Sequence, residues 1–451
     1  MIRELNDFHH AIRFREDLCT GCSHCMNICP TEAIRVRNGR AHMRANRCID
    51  CGECFRVCPV GAITVEQDDF RRVHDFKARV ALVPAVFTGQ FPDSATPGAV
   101  LKAIHETGFT HVYEVEEGVP FLLEKYRHHL AVHPLKRPMI SPFCPAVVRL
   151  IQVKFPTLTG HIIPLKAPVD ITALHVRRLL ASEGYLPDET GIFYVTPCAA
   201  KIVAVRSPVG EKHSAVDGVI SMQFLYNKVF KILREGNFRA SLPPALSSEA
   251  VCWSLTHGEA DPVKPARSLA IDEINNVIEF LEKVENDEID GIDFLELRAC
   301  DESCAGGILC PANRFITADR LRKRAQEAVV TSLNTGRELT DRQITIGPIE
   351  PRSMMKLDDH VAGAMVKMKR IYELNRALPQ VDCGICGSPT CRALAEDIVQ
   401  DEASLRQCIF IQKILEQNEK LDILESVRIM RSIWSDKKLD RNAIRAEFPD
   451  A

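Results

Sequence analysis

Apolar positions along this chain change their period from region to region. The middle holds short unbroken apolar runs: VALVPAVF from Val80, HVYEV from His111, GIFYVTP from Gly191 and DFLELRA from Asp293. Runs of this length and composition predict buried strands. Helical patterns lie between them, AVVRLIQVKF after Cys144 and NNVIEFLEKV near residue 280. Strands alternating with helices predict parallel sheets. Ligand sites in such sheets lie beyond the carboxyl ends of the strands. Cys144, Cys198 and Cys300 each follow a strand-like run, so three cysteines distant in sequence are expected to meet at one site. Beyond Cys408, IFIQKILEQNEKLDILESVRIMRSIW predicts one apolar-striped helix. It either packs on its own domain or serves as a docking or homo-oligomer helix.

The chain has 451 residues, room for about three domains. Cysteine clustering puts them at 1–77, 78–355 and 356–451. Net charge is −3, basic residues are scattered and aromatics make up 6%, so no nucleic-acid partner is expected. No apolar run approaches the ~18 residues of a membrane span. The start, MIRELNDFHH, lacks the apolar core of a signal peptide. A cytoplasmic protein is expected, and eighteen cysteines in that compartment argue for metal rather than disulfides.

The cysteine spacing sharpens this. Cys19-x2-Cys22-x2-Cys25-x3-Cys29-Pro30 is repeated as Cys48-x2-Cys51-x2-Cys54-x3-Cys58-Pro59, the run of bacterial two-cluster ferredoxins. Three thiolates on a tight loop cover one face of a cubane, and the fourth reaches the other cluster. One 4Fe-4S cluster is therefore expected on Cys19, Cys22, Cys25 and Cys58, the other on Cys48, Cys51, Cys54 and Cys29. Near the end, Cys383-x2-Cys386-x4-Cys391-x16-Cys408 offers four more thiolates, with Gly384 and Gly387 letting the loop bend. Spacing favours a third cubane there over structural zinc. DCGICGSPTCRALAEDIVQ also resembles the four-cysteine domain of corrinoid iron–sulfur proteins, an Rnf electron-transport subunit and sensory hydrogenases.

Three middle segments, SPFCPAVVRLI, VTPCAAK and LRACDESCAGG, resemble the signature loops of FeFe (iron-only) hydrogenases. The family patterns are Thr-Ser-Cys-Cys-Pro-Gly-Trp, Met-Pro-Cys-Thr-Ala-Lys and Met-Ala-Cys-Pro-Gly-Gly-Cys. The resemblance runs through the whole chain in domain order and comes closest to the sensory subgroup. It implies a two-lobed α/β core of parallel sheets and helices, flanked by a small α+β ferredoxin-like domain and a small helical 4Fe-4S domain. It also implies a fourth cubane on Cys144, Cys198, Cys300 and Cys304. Cys304 would bridge to a diiron subcluster carrying CO and cyanide, and Lys201 would hydrogen-bond a cyanide. Glu117 matches one glutamate of the family's proton relay.

The departures fall on that relay. Phe143 stands where the family has its proton-carrying cysteine, Ile163 where it has a serine and Pro120 where it has a second glutamate. Ala167 and Val169 replace polar groups, and Thr196 and Arg298 replace two methionines. Loss of a general acid–base step costs roughly 10²–10⁴-fold. The expectation is a low-turnover or hydrogen-sensing oxidoreductase of anaerobic metabolism, oxidising H2 reversibly to protons and electrons. Ferredoxin or a redox or signalling subunit would be its partner. The alternative is an electron-transfer subunit with four cubanes and no diiron centre. A scaffold role in cluster assembly fits less well, because both ferredoxin runs are intact. Cys252 reads as a buried hydrophobe, Cys310 stays open, and His24, His9–His10 and His128–His129 read as surface or solvated residues. Glu116 and Glu117 read as an acid pair or an exposed helix start.

Overall fold

Each cysteine run of the N-terminal region contains a short helix, His24–Ile28 in the first and Glu53–Arg56 in the second. The computed structural model describes residues 9–133, 137–236, 246–328, 335–354 and 356–438. The stretch MIRELNDF, the proposed boundary at residue 355 and the tail after 438 lie outside them. Strands β1 (Ile12–Phe14), β2 (Ile34–Arg37), β3 (Arg40–Met43) and β4 (Ile63–Val65) form two antiparallel pairs, β1 with β4 and β2 with β3. Asn38 and Gly39 between β2 and β3 both take positive φ, 52° and 67°, the backbone that a two-residue hairpin requires.

The central region contributes β5 (Ala78–Val83), β6 (His111–Glu114), β7 (Met139–Ile140), β8 (Thr190–Thr196), β9 (Gly218–Ser221), β10 (Ser268–Ile271) and β11 (Phe294–Leu297). They make two parallel sheets, ordered β6-β5-β8-β9 and β10-β11-β7. Every residue of β8 and β11 is buried, as strands covered on both faces must be. The expected strand VALVPAVF is only half strand. Pro84 ends β5, and Ala85–Thr88 turns into a short helix. No helix among the described residues is long and apolar enough to cross a membrane.

One buried carboxylate joins the first region to the second. Asp50 accepts from the backbone N–H of Ala11 and Ile12, pairs with His10 Nδ1 at 2.7 Å and with Arg149 at 3.0 Å. Arg149 lies on the helix Pro145–Lys154 that starts at Cys144. His10, expected to be solvated, is therefore buried as a partner of Asp50. His24 is exposed, as expected.

The C-terminal region is four helices, Val361–Ala377, Cys391–Val399, Ile409–Gln417 and Ile423–Trp434. The last two were expected to be one. The chain breaks at Asn418, Glu419 takes φ 55°, and Leu421 turns inward to be buried. The final helix then packs through Ile433 on the β2–β3 hairpin, whose Asn38 and Gly39 N–H groups donate to the carbonyls of Ser432 and Ile433.

Candidate metal centres

Cys144 and Cys198 each cap the start of a helix, Pro145–Lys154 and Ala199–Arg206, just beyond β7 and β8. Thr196, the last residue of β8, donates its hydroxyl to the Cys198 carbonyl at 3.0 Å, fixing that turn. Cys300 follows β11, and Cys304 sits in the 3-10 turn Ser303–Gly306. The Ala-Gly-Gly after Cys304 has a steric cause. A Cβ on Gly306 would lie 2.0 Å from the Asp301 carbonyl oxygen, and one on Gly307 2.6 Å from that of Pro197.

These four thiols converge. Burial pushes the Cys198 thiol up to about 12, and the charges of Cys304 and Cys144 push the same way against Lys201. Burial also raises Cys300, reinforced by Cys198, Cys144 and Cys304. Such mutual influence means that the four side chains lie near one another. In the ferredoxin runs the fourth cysteine of each run likewise lies near the first three of the other. Burial raises Cys25 to about 12, helped by Cys22, Cys19 and Cys58. Cys51, Cys54 and Cys48 are raised by burial first, and each also feels Cys29. At the C-terminus Cys386, Cys391 and Cys408 are buried together, and Cys383 is exposed. Cys386 is raised to about 11 by burial, with Cys383 and Cys408 adding to it.

Lys201 points into the central site rather than to solvent. Its Nζ donates to Cys304 Sγ at 3.4 Å and lies 4.0 Å from the centre of the Phe143 ring. Burial works against its charge, but the neighbouring thiolates, Cys304 first, outweigh that and raise its pKa. A cavity of about 50 Å³ opens beside it, lined by Phe143, Ala167, Val169, Asp170 and Tyr194 among others. The space among Cys29, Cys48, Cys51 and Cys54 is smaller, about 20 Å³. Burial raises the Asp170 carboxyl in this wall to about 6.

Phe143 carries a second cation. The Arg298 guanidinium stands 4.2 Å from the ring centre and pairs with Glu259 at 2.8 Å and Glu296 at 3.5 Å, all three buried. Ser141 ties this cluster to the loop, donating to Glu259 at 2.6 Å and accepting from the Phe143 N–H. Burial lifts the Glu259 carboxyl to about 7, against the pull of Arg298. The sequence reading missed Ser141, Glu259 and Glu296. One signal for the last was available, since Glu296 and Arg298 alternate with leucine and alanine in FLELRA, two opposite charges in an otherwise apolar strand.

The acidic turn is also clarified. Glu116 is 1% exposed, accepts from Ala85 N–H at 2.8 Å, and is raised to about 8, chiefly by burial. Glu117 accepts from Glu114 N–H and is raised by burial to about 7. An exposed helix start does not describe them; both sit in the 3-10 turn Val115–Gly118. Pro120 lies in the first turn of the next helix, and Ile163 is fully buried. Cys310 lies at the site, its Sγ 3.3 Å from the Cys304 carbonyl oxygen. Cys252 is half-buried and apart from the four thiols' set.

Three family models match the chain. Residues 77–237 match the iron-only hydrogenase large subunit, C-terminal domain. Residues 18–63 match a 4Fe-4S dicluster domain, and 378–410 a putative Fe-S cluster family. No curated protein sequence matches. Among solved structures, a variant of the FeFe-hydrogenase HydA1 from Chlamydomonas reinhardtii matches at 15% identity and TM-score 0.47, covering 61% of this chain and 95% of that one. An apo form of another variant of the same protein matches at 14% identity and TM-score 0.46, covering 61% and 96%. Residues 77–237 are thus similar to the C-terminal domain of the iron-only hydrogenase large subunit, and the stretches 18–63 and 378–410 on either side of it to iron–sulfur cluster families.

Proposed function

We propose that the protein is a low-turnover, sensory-type FeFe hydrogenase working in the cytoplasm, which oxidises H2 reversibly to two protons and two electrons. Four cubanes are held by the sets Cys19, Cys22, Cys25, Cys58; Cys48, Cys51, Cys54, Cys29; Cys144, Cys198, Cys300, Cys304; and Cys383, Cys386, Cys391, Cys408. The donor sets suit them: each offers four thiols, and buried thiolates need the compensating charge that iron supplies. A diiron unit also fits by its chemistry. The cavity beside Lys201 has mostly apolar walls for small uncharged ligands, and the Lys201 ammonium, which reaches Cys304, to hold an anion.

When bound, the diiron centre supplies the chemistry that splits or forms the H–H bond. The chain's own residues anchor it and set its surroundings. Cys304 would hold it through its thiolate, and Lys201 would orient and neutralise its anionic ligands. Phe143 closes the place from which a proton would be passed, so turnover is slow.

The observation that carries this reading is the Lys201 ammonium 3.4 Å from Cys304 Sγ at the mouth of an apolar cavity. The test is infrared spectroscopy of protein produced with hydrogenase maturation enzymes. CO and cyanide bands are expected in the wild type. In Lys201→Met they should fall at least tenfold, with cubane iron unchanged. A second reading, electron transfer by four cubanes without diiron, is favoured by the clamp on Phe143. A wild-type spectrum with full iron and no such bands would establish it instead.

A further inference from the structure

The four thiol sets form a sequence in space. Gly52, inside the second ferredoxin run, packs so closely on Ile308 that a Cβ there would lie 2.4 Å from its Cδ1. Ile308 stands between Cys304 and Cys310, and Arg56 donates to the Gly306 carbonyl at 2.7 Å. At the far side of the ferredoxin region, a Cβ on Gly384 would meet the end of Met26 at 3.0 Å. Met26 follows Cys25 directly, and Gly384 follows Cys383. Arg37 clamps the same junction, donating to the Gly387 carbonyl at 2.7 Å. The order is therefore central site, Cys48 set, Cys19 set, Cys383 set. The last is the outer terminus, and it holds the one exposed cysteine of the four sets.

Beside that terminus lies an apolar face that no other element covers among the described residues, with Arg376 of the same helix standing 5.8 Å from the Tyr372 ring centre at its edge. Val361, Met365, Met368 and Tyr372 on the helix Val361–Ala377 are 50–79% exposed and follow the 4-3-4 spacing of one helix stripe. Ile371, at the floor of the groove beside this stripe, and Leu374 are buried against the neighbouring helix. The stripe borders a groove of about 510 Å³, whose other wall includes Arg392, the residue after Cys391. The rim is basic. Lys369 and Arg376 make no ion pair among the described residues, and Arg392 reaches toward Glu396 with most of its side chain in solvent. Grouped exposed apolar residues inside a polar rim mark interaction surfaces.

We propose that this groove is the docking surface for a small acidic one-electron carrier protein, and that electrons enter and leave the chain at the Cys383 set rather than at the ferredoxin runs. Opposite charge steers the carrier to the rim, and the apolar stripe holds it. Each encounter moves one electron, oxidising the donor cluster and reducing the acceptor, with no bond made or broken. The inference rests on the cubanes of the proposed function and does not need the diiron centre.

The test uses the full cluster-loaded chain and a purified acidic two-cluster 4Fe-4S ferredoxin as probe. Calorimetry at low and raised salt gives its dissociation constant, and stopped-flow absorbance follows its reduction. The double charge reversal K369E/R376E should weaken binding at least tenfold at low salt and remove most of the salt dependence. Electron transfer at sub-saturating ferredoxin should slow in proportion, with iron content and visible spectrum unchanged. K102E, on the exposed face of the helix Pro97–His105, should change neither. Unchanged affinity in K369E/R376E, or no ferredoxin binding by the wild type, overturns the proposal. So does a concentration-dependent dimer of the wild type that K369E/R376E abolishes while ferredoxin binding persists. Tenfold loss in K369E/R376E from protein lacking CO and cyanide bands supports the docking surface and removes only the hydrogenase reading.

Discussion

Phe143 is held on two sides by cations, Lys201 at 4.0 Å and Arg298 at 4.2 Å from its ring centre. A buried cation–π contact is worth about 2 kcal/mol or more, so the ring is pinned as well as inert. Phe143→Cys replaces it with a group that can hold and pass a proton. In protein shown to carry diiron, hydrogen uptake with a dye acceptor should rise roughly 10²-fold, the low end of a general acid–base step. No gain would place the limit elsewhere in the lost relay. Glu116 allows a prediction of a different kind. Its carboxyl lies near 4.5 when unfolded and near 8 when folded. The folded state therefore binds the extra proton between those values, and stability is lost as pH rises through that window, by at most roughly 5 kcal/mol. Glu116→Gln should flatten this fall, so that its apparent unfolding midpoint exceeds that of the wild type at pH 8.5 by more than at pH 5. A parallel decline in the two proteins would refute the assignment. Among single residues, the thiols of the two ferredoxin runs and of the C-terminal run could be grouped from the sequence because their spacing is a local property. Glu259 and Asp170 were not legible, because only the fold brings them from positions distant in sequence to Arg298 and Lys201, and Ser141, two residues from Phe143, gave no sign of the Glu259 to which it donates.

Elements read well where one local force dominates. The strands β8 and β11 and the helices Pro145–Lys154 and Ile274–Glu285 stand where apolar runs and helical periodicity placed them. The misses came from competing local signals. Pro84 turned the end of VALVPAVF into a helix start, and the polar run Asn418-Glu419-Lys420 broke the terminal helix. The junction between the first and last regions had no sequence signal at all. Asp397 on the helix Cys391–Val399 is 1% exposed and binds Arg35 at 2.7 Å, Arg37 at 3.0 Å and Arg44 at 2.8 Å, with Ser388 donating to it as well. Arg47 pairs with its neighbour Glu396. Three arginines around one buried carboxylate make the clamp asymmetric. Removing the carboxylate leaves uncompensated cations, a loss of about 3–5 kcal/mol, whereas loss of any one arginine leaves two.

At the scale of the whole molecule, metal and fold depend on each other. With the four proposed cubanes in place, sixteen thiols would hold the ferredoxin hairpin, the ends of β7, β8 and β11 and the C-terminal helices at fixed separations. Without iron, burial keeps the thiols of Cys25 and Cys198 up to about 12 and that of Cys386 to about 11, so these three are protonated at neutral pH. Iron binding therefore displaces protons and adds its own free energy to folding. The sets differ in access. Cys383 is exposed, and the others are half-buried or buried. A chelator acting on anaerobic, reduced protein should thus release iron in two phases, with about a quarter leaving first. Alkylation trapped during the fast phase should label Cys383, Cys386, Cys391 and Cys408 before any cysteine of the ferredoxin runs. Asp397→Ala should hasten that phase alone, because it loosens the C-terminal helices from the hairpin without touching the central strands. Release in one phase, or early labelling of Cys19 to Cys58, would mean that the terminal set is not the most open one, and the outward order of the four sites would have to be reversed.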